Sequence, residues 1–243
     1  MNPNPTERFS SRAEAYAANR PSYPSAAIDA LLHELPPVQN LWIADAGAGT
    51  AIASRLLAER GAHVYAVEPN ARMRAQAQAH PLITWIDGTA EETRLAEGAV
   101  DIAAAFQAFH WFDPERAIAE FRRISRRRIA LLQYERNERD SFTAAYAALV
   151  RRYAIDDTEN RRLQALENFA RLTAPTCHRY EFFYAQEMML DQMLGRLASS
   201  SYLPQEGEAA VELRSEATTI FHRFAGKSRV SMAMICYVLI ADA

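Results

Sequence analysis

The sequence predicts an α/β protein with a doubly wound, mostly parallel sheet and helices on both faces. Three observations lead there. Short apolar runs alternate with amphipathic helical stretches along much of the chain, the pattern of parallel strands joined by right-handed crossover helices. The first run, Trp42-Ile43-Ala44-Asp45-Ala46, ends in the glycine turn Gly47-Ala48-Gly49-Thr50-Ala51, and an amphipathic helix from Ile52 to Arg60 follows at once. The second run, His63 to Val67, delivers Glu68, at about the distance where nucleotide-binding α/β folds place the acid that receives ribose hydroxyls.

The elements can be placed in order. Ser10 to Ala18 and Ser25 to Leu35 read as two helices separated by the turn Arg20 to Pro24, because Pro21 and Pro24 interrupt any continuous helix. They are expected to fold over the ligand site as a lid. After the second strand, Ala71 to Ala79 is helical and Leu82 to Ile86 is the third strand. Val100 to Phe106 follows the turn signal Glu97-Gly98 and reads as a fourth, centrally buried strand. Asp113-Pro114 opens the next helix with a capping acid and a proline at its first position, and Ala117, Ile118, Phe121 and Ile124 recur at helical spacing. Strand five is Ile129 to Gln133. Ser141 to Tyr153 and Glu159 to Leu172 then break the alternation, and are expected to form a helical cap over the pocket. Tyr180 to Met189 and Met232 to Ala241 are the last strands, with helices near Asp191 to Leu197 and Glu208 to Phe224 between them. There is no internal repeat and no low-complexity tract.

A chain of 243 residues suffices for one large domain with its own core. Its expected parts are N-terminal lid helices (1–37), a ligand-binding core (38–134), a cap insertion (135–176) and C-terminal strands and helices (177–243). Cys177 and Cys236 lack C-x-x-C spacing and read as small buried hydrophobes, with no metal site implied. The N-terminus lacks the apolar stretch of a signal peptide, and no window approaches the roughly 20 apolar residues that span a bilayer. A cytoplasmic protein with no membrane contact is expected. Net charge is −3 and the one lysine is Lys227, so no overall field draws nucleic acid. The basic cluster Arg122-Arg123 and Arg126-Arg127-Arg128 lies at the beginning of the fifth strand, opposite the end where such sheets bind ligands, and reads as a structural face.

Gly47 and Gly49 let a backbone bend sharply and a ligand approach without a Cβ in the way, while the helix start offers unpaired N–H groups. The dinucleotide fingerprint would need a third glycine at Ile52, so a nucleoside fits this turn better than a pyrophosphate. Glu68 is the candidate ribose ligand, held by the turn and cap that Pro69 and Asn70 supply. Asp87 is placed to accept from the exocyclic amine of adenine and Gly88 to let the base lie close, with Ala90 and Glu91 as alternative contacts on that edge. His110, after the fourth strand, is the candidate catalytic base for a hydroxyl nucleophile, the alternative being packing against Trp111. Tyr134, Tyr146, Tyr153, Tyr202, Phe142 and Phe169 are candidates for an aromatic pocket, although such residues more often belong to the core.

With these residues in view, the chain resembles the class I S-adenosylmethionine-dependent methyltransferases, whose first motif reads acidic-x-Gly-x-Gly and whose second strand ends in an acid. Asp45, Gly47, Gly49, Glu68 and Asp87 match. Arg8-Phe9-Ser10-Ser11-Arg12-Ala13-Glu14-Ala15-Tyr16, Arg20-Pro21-Ser22-Tyr23-Pro24, Glu68-Pro69-Asn70 and Ala108-Phe109-His110-Trp111-Phe112-Asp113-Pro114 resemble the small-molecule branch that includes trans-aconitate methyltransferase-like proteins. Ala51 departs from the family, which often has a third glycine there. The resemblance implies a Rossmann-like sheet of seven strands with the last one antiparallel, and S-adenosylmethionine as cofactor. It also implies that Tyr16 and Arg20 close over the sulfonium side, with Pro69, Met73, Gln107 and His110 contributing further cofactor contacts.

The expected activity is methyl transfer to a small organic acceptor, at a carboxylate or hydroxyl oxygen, by direct in-line displacement. Such a reaction mainly needs the nucleophile held against the methyl carbon and water excluded, and orientation alone can supply roughly 7 to 11 kcal/mol. Phe106, Gln107 and Phe109 stand where amino-directed nucleic-acid methyltransferases carry Asn/Asp-Pro-Pro-Tyr, which argues against adenine or glutamine N-methylation. Two other functions fit parts of the pattern. One is a non-catalytic S-adenosylmethionine-binding protein that holds a partner. The other is a nicotinamide-dependent oxidoreductase, disfavoured by Ile52 and by the absence of a Tyr-x-x-x-Lys pair. A monomer and a homodimer both remain open.

Overall fold

In the computed structural model, residues 22–226 and 228–243 are described. The helix expected over Ser10 to Ala18, together with Tyr16 and Arg20, lies outside the described residues, as does Lys227.

The glycine-turn unit forms as its sequence dictates. Strand β1 (Trp42–Ala46) ends in the turn, helix α2 (Ile52–Glu59) follows, and β2 (His63–Val67) lies parallel to β1 with Asp45 opposite Ala66. Helix α3 (Ala71–Ala75) starts at Asn70, whose side chain accepts from the backbone N–H of Arg72 and Met73. It stops four residues short of the expected Ala79, because Met73 is its only buried residue and no apolar face anchors a further turn. Strands β3 (Ile83–Ile86) and β4 (Val100–Phe106) complete the first half of the sheet, and every residue of β4 is buried.

Helix α4 (Pro114–Ile124) carries the expected Asp113 cap and leads directly into β5 (Ser125–Arg136). Pairing with β4 begins at Ser125 opposite Val100, so Arg126, Arg127 and Arg128 belong to the strand, while Arg122 and Arg123 close the last turn of α4. After α5 (Ser141–Tyr153) and α6 (Thr158–Thr173) come β6 (His178–Met188), α7 (Leu190–Ser199), α8 (Gly207–Phe224) and β7 (Val230–Asp242). The seven strands are ordered β3-β2-β1-β4-β5-β7-β6, and β7 alone runs antiparallel, inserted between β5 and β6. This is the doubly wound sheet that the resemblance implies.

Alternation along β5 shows how the two faces are covered. Ala130, Leu132 and Tyr134 join one core cluster with Leu57 of α2 and Phe142, Tyr146 and Leu149 of α5. Ile129 and Leu131 join the other with Phe121 of α4 and Leu166 and Phe169 of α6. Helices α5 and α6 therefore lie on opposite faces of the sheet, each burying an apolar stripe. They do not form the cap expected over residues 135–176.

The lid expectation for Ser25 to Leu35 is corrected in the same way. Helix α1 (Ser25–Leu32) packs through Ala27, Ile28 and Leu31 against β7 and β6. It ends at Leu32, just before Glu34 takes a positive φ of 59° and the Pro36-Pro37 pair rules out a further turn.

The arginine cluster is consumed by the protein itself. Arg126 and Arg127 reach Asp101 at 3.1 Å each, Arg123 pairs with Glu120 at 2.7 Å, and Arg122 and Arg128 donate to backbone carbonyls of Leu172 and His33. Cys236 is buried, which pushes its thiol up to about 12, and Cys177 is half-buried; both are free. No helix among the described residues is long and apolar enough to cross a membrane.

Candidate active site

At the C-terminal ends of β1, β2 and β4 the structure opens a cleft of about 200 Å³. Its floor is the glycine turn. Gly47 and Gly49 have φ of +71° and +58°, and the N–H groups of Gly47 and Ala48 both donate to Val67 O, which ties the turn to the end of β2. A Cβ on Gly47 would stand 2.7 Å from Ala108 Cβ and 2.9 Å from Phe112 Cζ, so glycine is required for the close approach as well as for the dihedral. Ala51, the N-cap of α2, shares the left-handed conformation at φ 63°, a strain that glycine would avoid.

Two acids stand over this floor. Glu68 accepts from Gly49 N through Oε2 and from Asn70 N through Oε1, both at 2.9 Å. Its backbone carbonyl accepts from Arg74. Burial raises its carboxyl above the usual range, and these two backbone donors offset only part of that. Asp45 is 1% exposed and accepts from Ser54 Oγ at 2.6 Å. Burial, with the nearby Glu68 charge adding to it, pushes its carboxyl up to about 7 against the hydrogen bonding from Ser54. Asp45 Oδ1 and Thr50 Oγ1 have no hydrogen-bond partner among the described residues, and both residues line the cleft. Buried polar atoms left in this state are costly unless a ligand meets them.

Pro69, Met73, Ala90, Glu91 and Gln107 also line the cleft. Glu91 accepts from Asp113 N at 2.9 Å, fixing the start of α4 against the β3–β4 connection. Gln107 takes φ 53° and turns its side-chain amide back onto β5, donating to Tyr134 O at 3.1 Å and accepting from Tyr134 N at 3.0 Å.

Three of the sequence-derived site residues are not among those lining the cleft. The Asp87 carboxylate is turned to Arg74 at 3.6 Å and is 63% exposed. Gly88 packs against backbone, with room for a Cβ limited by Glu92 O and Thr93 O at 3.0 Å. His110 sits in the 3-10 turn Phe109–Trp111 with its ring tilted against Trp111, and it is Trp111 that reaches the wall.

An aromatic wall is less apparent in the sequence. Tyr23 packs edge-on against Phe106 at 5.4 Å and lies 5.5 Å from Tyr134, and with Trp111 and Phe112 these rings form the apolar side of the cleft. Of the aromatic residues singled out above, Tyr134 lines the cleft, whereas Phe142 and Phe169 are core. Tyr134 also borders a smaller cavity whose lining contains Arg136, Arg162 and Arg196 but one carboxylate, Glu135. Arg162 donates to Glu135 and Arg136 to Glu159, each at 2.6 Å. Runs of Arg and Glu separated by a helix gave no sequence signal for this cluster.

The family model of the methyltransferase domain matches residues 44–131, which contain the glycine turn, both acids and the cleft edge up to Phe112. An uncharacterised methyltransferase of Mycobacterium tuberculosis is 34% identical over 80% of this chain and 76% of its own length. The chain belongs to the class I S-adenosylmethionine-dependent methyltransferases. A structure described as a type II methyltransferase from Anaeromyxobacter dehalogenans superposes with a TM-score of 0.69 at 25% identity, covering 92% of this chain and 97% of that one. A phosphoethanolamine N-methyltransferase from Haemonchus contortus, solved with phosphomonomethylethanolamine and S-adenosylhomocysteine, shares the fold at a TM-score of 0.51 and 15% identity. That match covers 98% of this chain and 58% of the other. This methyltransferase therefore has the architecture of its family over nearly its whole length.

Proposed function

We propose that this methyltransferase binds S-adenosylmethionine in the cleft and transfers its methyl group to an oxygen of a small carboxylate- or hydroxyl-bearing acceptor. The observation that carries the reading is the pair of buried, unpartnered atoms Asp45 Oδ1 and Thr50 Oγ1 beside the Gly47–Gly49 turn. They fit a polar ligand that brings its own donors. Glu68 would hold the ribose hydroxyls, since each of its oxygens accepts one backbone N–H and retains a further lone pair. Met73, Ala90 and Glu91 would border the base, and Asp45 the amino-acid end.

The bound cofactor supplies an electrophilic methyl on a sulfonium. What the chain supplies is position: the aromatic side formed by Tyr23, Phe106, Trp111 and Tyr134 excludes water and sets the acceptor's approach. His110 acts in this proposal by fixing Trp111. A carboxylate acceptor needs no base. The two free thiols suit the reducing cytoplasm, where we place the protein.

Titration calorimetry with S-adenosylmethionine and S-adenosylhomocysteine, run beside NADH, tests the cofactor. Micromolar binding of the sulfur pair alone is expected, and binding of NADH alone or of none of the three overturns the proposal. Glu68→Ala should abolish S-adenosylmethionine affinity while the fold persists by circular dichroism; unchanged affinity removes the ribose role. A transfer-competent wild type also separates this function from that of a non-catalytic binder.

A further inference from the structure

The outer edge of the sheet is β6, an 11-residue strand in regular antiparallel register with β7 from His178 opposite Ile240 to Met188 opposite Val230. Among the described residues no strand lies on its other side. Such a length is about twice that of an ordinary strand.

The backbone direction at this edge follows from hydrogen bonds farther in. Leu132 O accepts from Gln107 N, and Tyr134 exchanges bonds with the Gln107 side chain, so even-numbered residues of β5 face β4 and odd-numbered ones face β7. Asn137 N donates to Ala233 O, so odd residues of β7 face β5 and even ones face β6. With Met234 opposite Tyr184, the even residues of β6 bond to β7. The N–H and C=O groups of Arg179, Glu181, Phe183, Ala185 and Glu187 therefore project from the open edge.

The side chains of those five residues are all exposed, with Phe183 at 62%. On the opposite face Phe182, Tyr184 and Met188 pack into the core. Strands that stay single at an edge are usually shortened, bulged, interrupted by proline or guarded by charged side chains, lysine above all; the charges on this edge, Arg179, Glu181 and Glu187, are of mixed sign. Strand β6 has no lysine, proline, glycine or register shift.

We propose that this edge is an interface with a second copy of the same chain, in which β6 pairs antiparallel with β6 about a two-fold axis through Phe183. Charge complementarity sets the register. Centred there, Arg179 stands opposite Glu187 of the second copy, Glu181 opposite Ala185, and Phe183 meets its counterpart. Moving the axis to Glu181 brings two identical carboxylates together, and moving it to Tyr184 sets Glu181 against Glu187. Arg179, now 3.0 Å from Glu181, would bridge that carboxylate and the one across the axis. The contact is isologous and closes on itself, leaving a continuous sheet through both copies.

Sedimentation velocity of the full chain over a concentration series tests this. A dimer is expected for the wild type. Phe183→Asp should abolish it, and Arg179→Glu should weaken it roughly tenfold by setting two like-charge pairs across the axis. The double variant Arg179→Glu with Glu187→Arg should restore dimerisation, a rescue that does not depend on how either single variant folds. A wild type that remains monomeric at the highest concentration reached, or a dimer indifferent to all three variants, overturns the proposal.

Discussion

At the N-terminal edge of the sheet, Asp101 and Glu120 are surrounded by donors. Asp101 accepts from Trp42 N at 2.9 Å and from Arg126 and Arg127, and Glu120 accepts from Thr93 N, Thr93 Oγ1 and Arg123. Burial works against both charges, but these partners outweigh it, lowering Asp101 and bringing Glu120 down to about 2. At the C-terminal edge, Asp45 and Glu68 lie deeper in the protein and also have fewer donors, and burial wins. One edge carries saturated carboxylates that fasten helix to strand. The other carries under-supplied ones, so the same residue type stabilises one end of the sheet and waits for a ligand at the other.

The sharpest break of this contrast is Gly47→Ala. It places a Cβ 2.7 Å from Ala108 Cβ at a φ of +71°, and should cost about 3 kcal/mol in chemical denaturation while eliminating cofactor binding. Glu120→Ala leaves the Thr93 N–H and hydroxyl without their acceptor and should cost about 2 kcal/mol, with cofactor affinity by calorimetry unchanged.

The third change should go the other way. Because the Asp45 carboxyl titrates near 7 in the fold against a usual value of 3.8, the folded chain holds more protons than the unfolded one between those values. This contribution destabilises the unliganded protein progressively as pH rises through that window. Asp45→Asn should therefore raise unfolding stability at pH 8 by roughly 1–2 kcal/mol, show no such gain below pH 4, and lose cofactor affinity at every pH. The smallest effect is Ala51→Gly, which relieves a φ of 63° and should stabilise by about 0.5–1 kcal/mol.

The succession of strands and helices, and the glycine turn with its neighbouring acids, were legible because they depend on local signals. A glycine pair with positive φ, a capping Asn70 and an acid at a strand end are written in consecutive residues. The aromatic side of the cleft is not, since Tyr23, Phe106 and Tyr134 come from three distant segments and look no different from core aromatics until the sheet brings them together. Asp87 illustrates the same limit: its Asp-Gly pair marks a turn, but the pull of Arg74 from another connection decides where the carboxylate points. Helices α5 and α6 suggested a cap because they interrupt the strand alternation. Only the outward faces of β5 and β7, which require a helix on each side, explain why they lie where they do.

The two backbone hydrogen bonds that Glu68 accepts have a further consequence. One side chain holds the glycine turn after β1 and the helix cap after β2 at a fixed separation. Both loops are thus ordered before any ligand arrives, and the conformational entropy of arranging them is lost in folding instead of in binding. Affinity at this cleft then depends on the contacts themselves, since a ligand meets a turn and a cap that Glu68 already holds together.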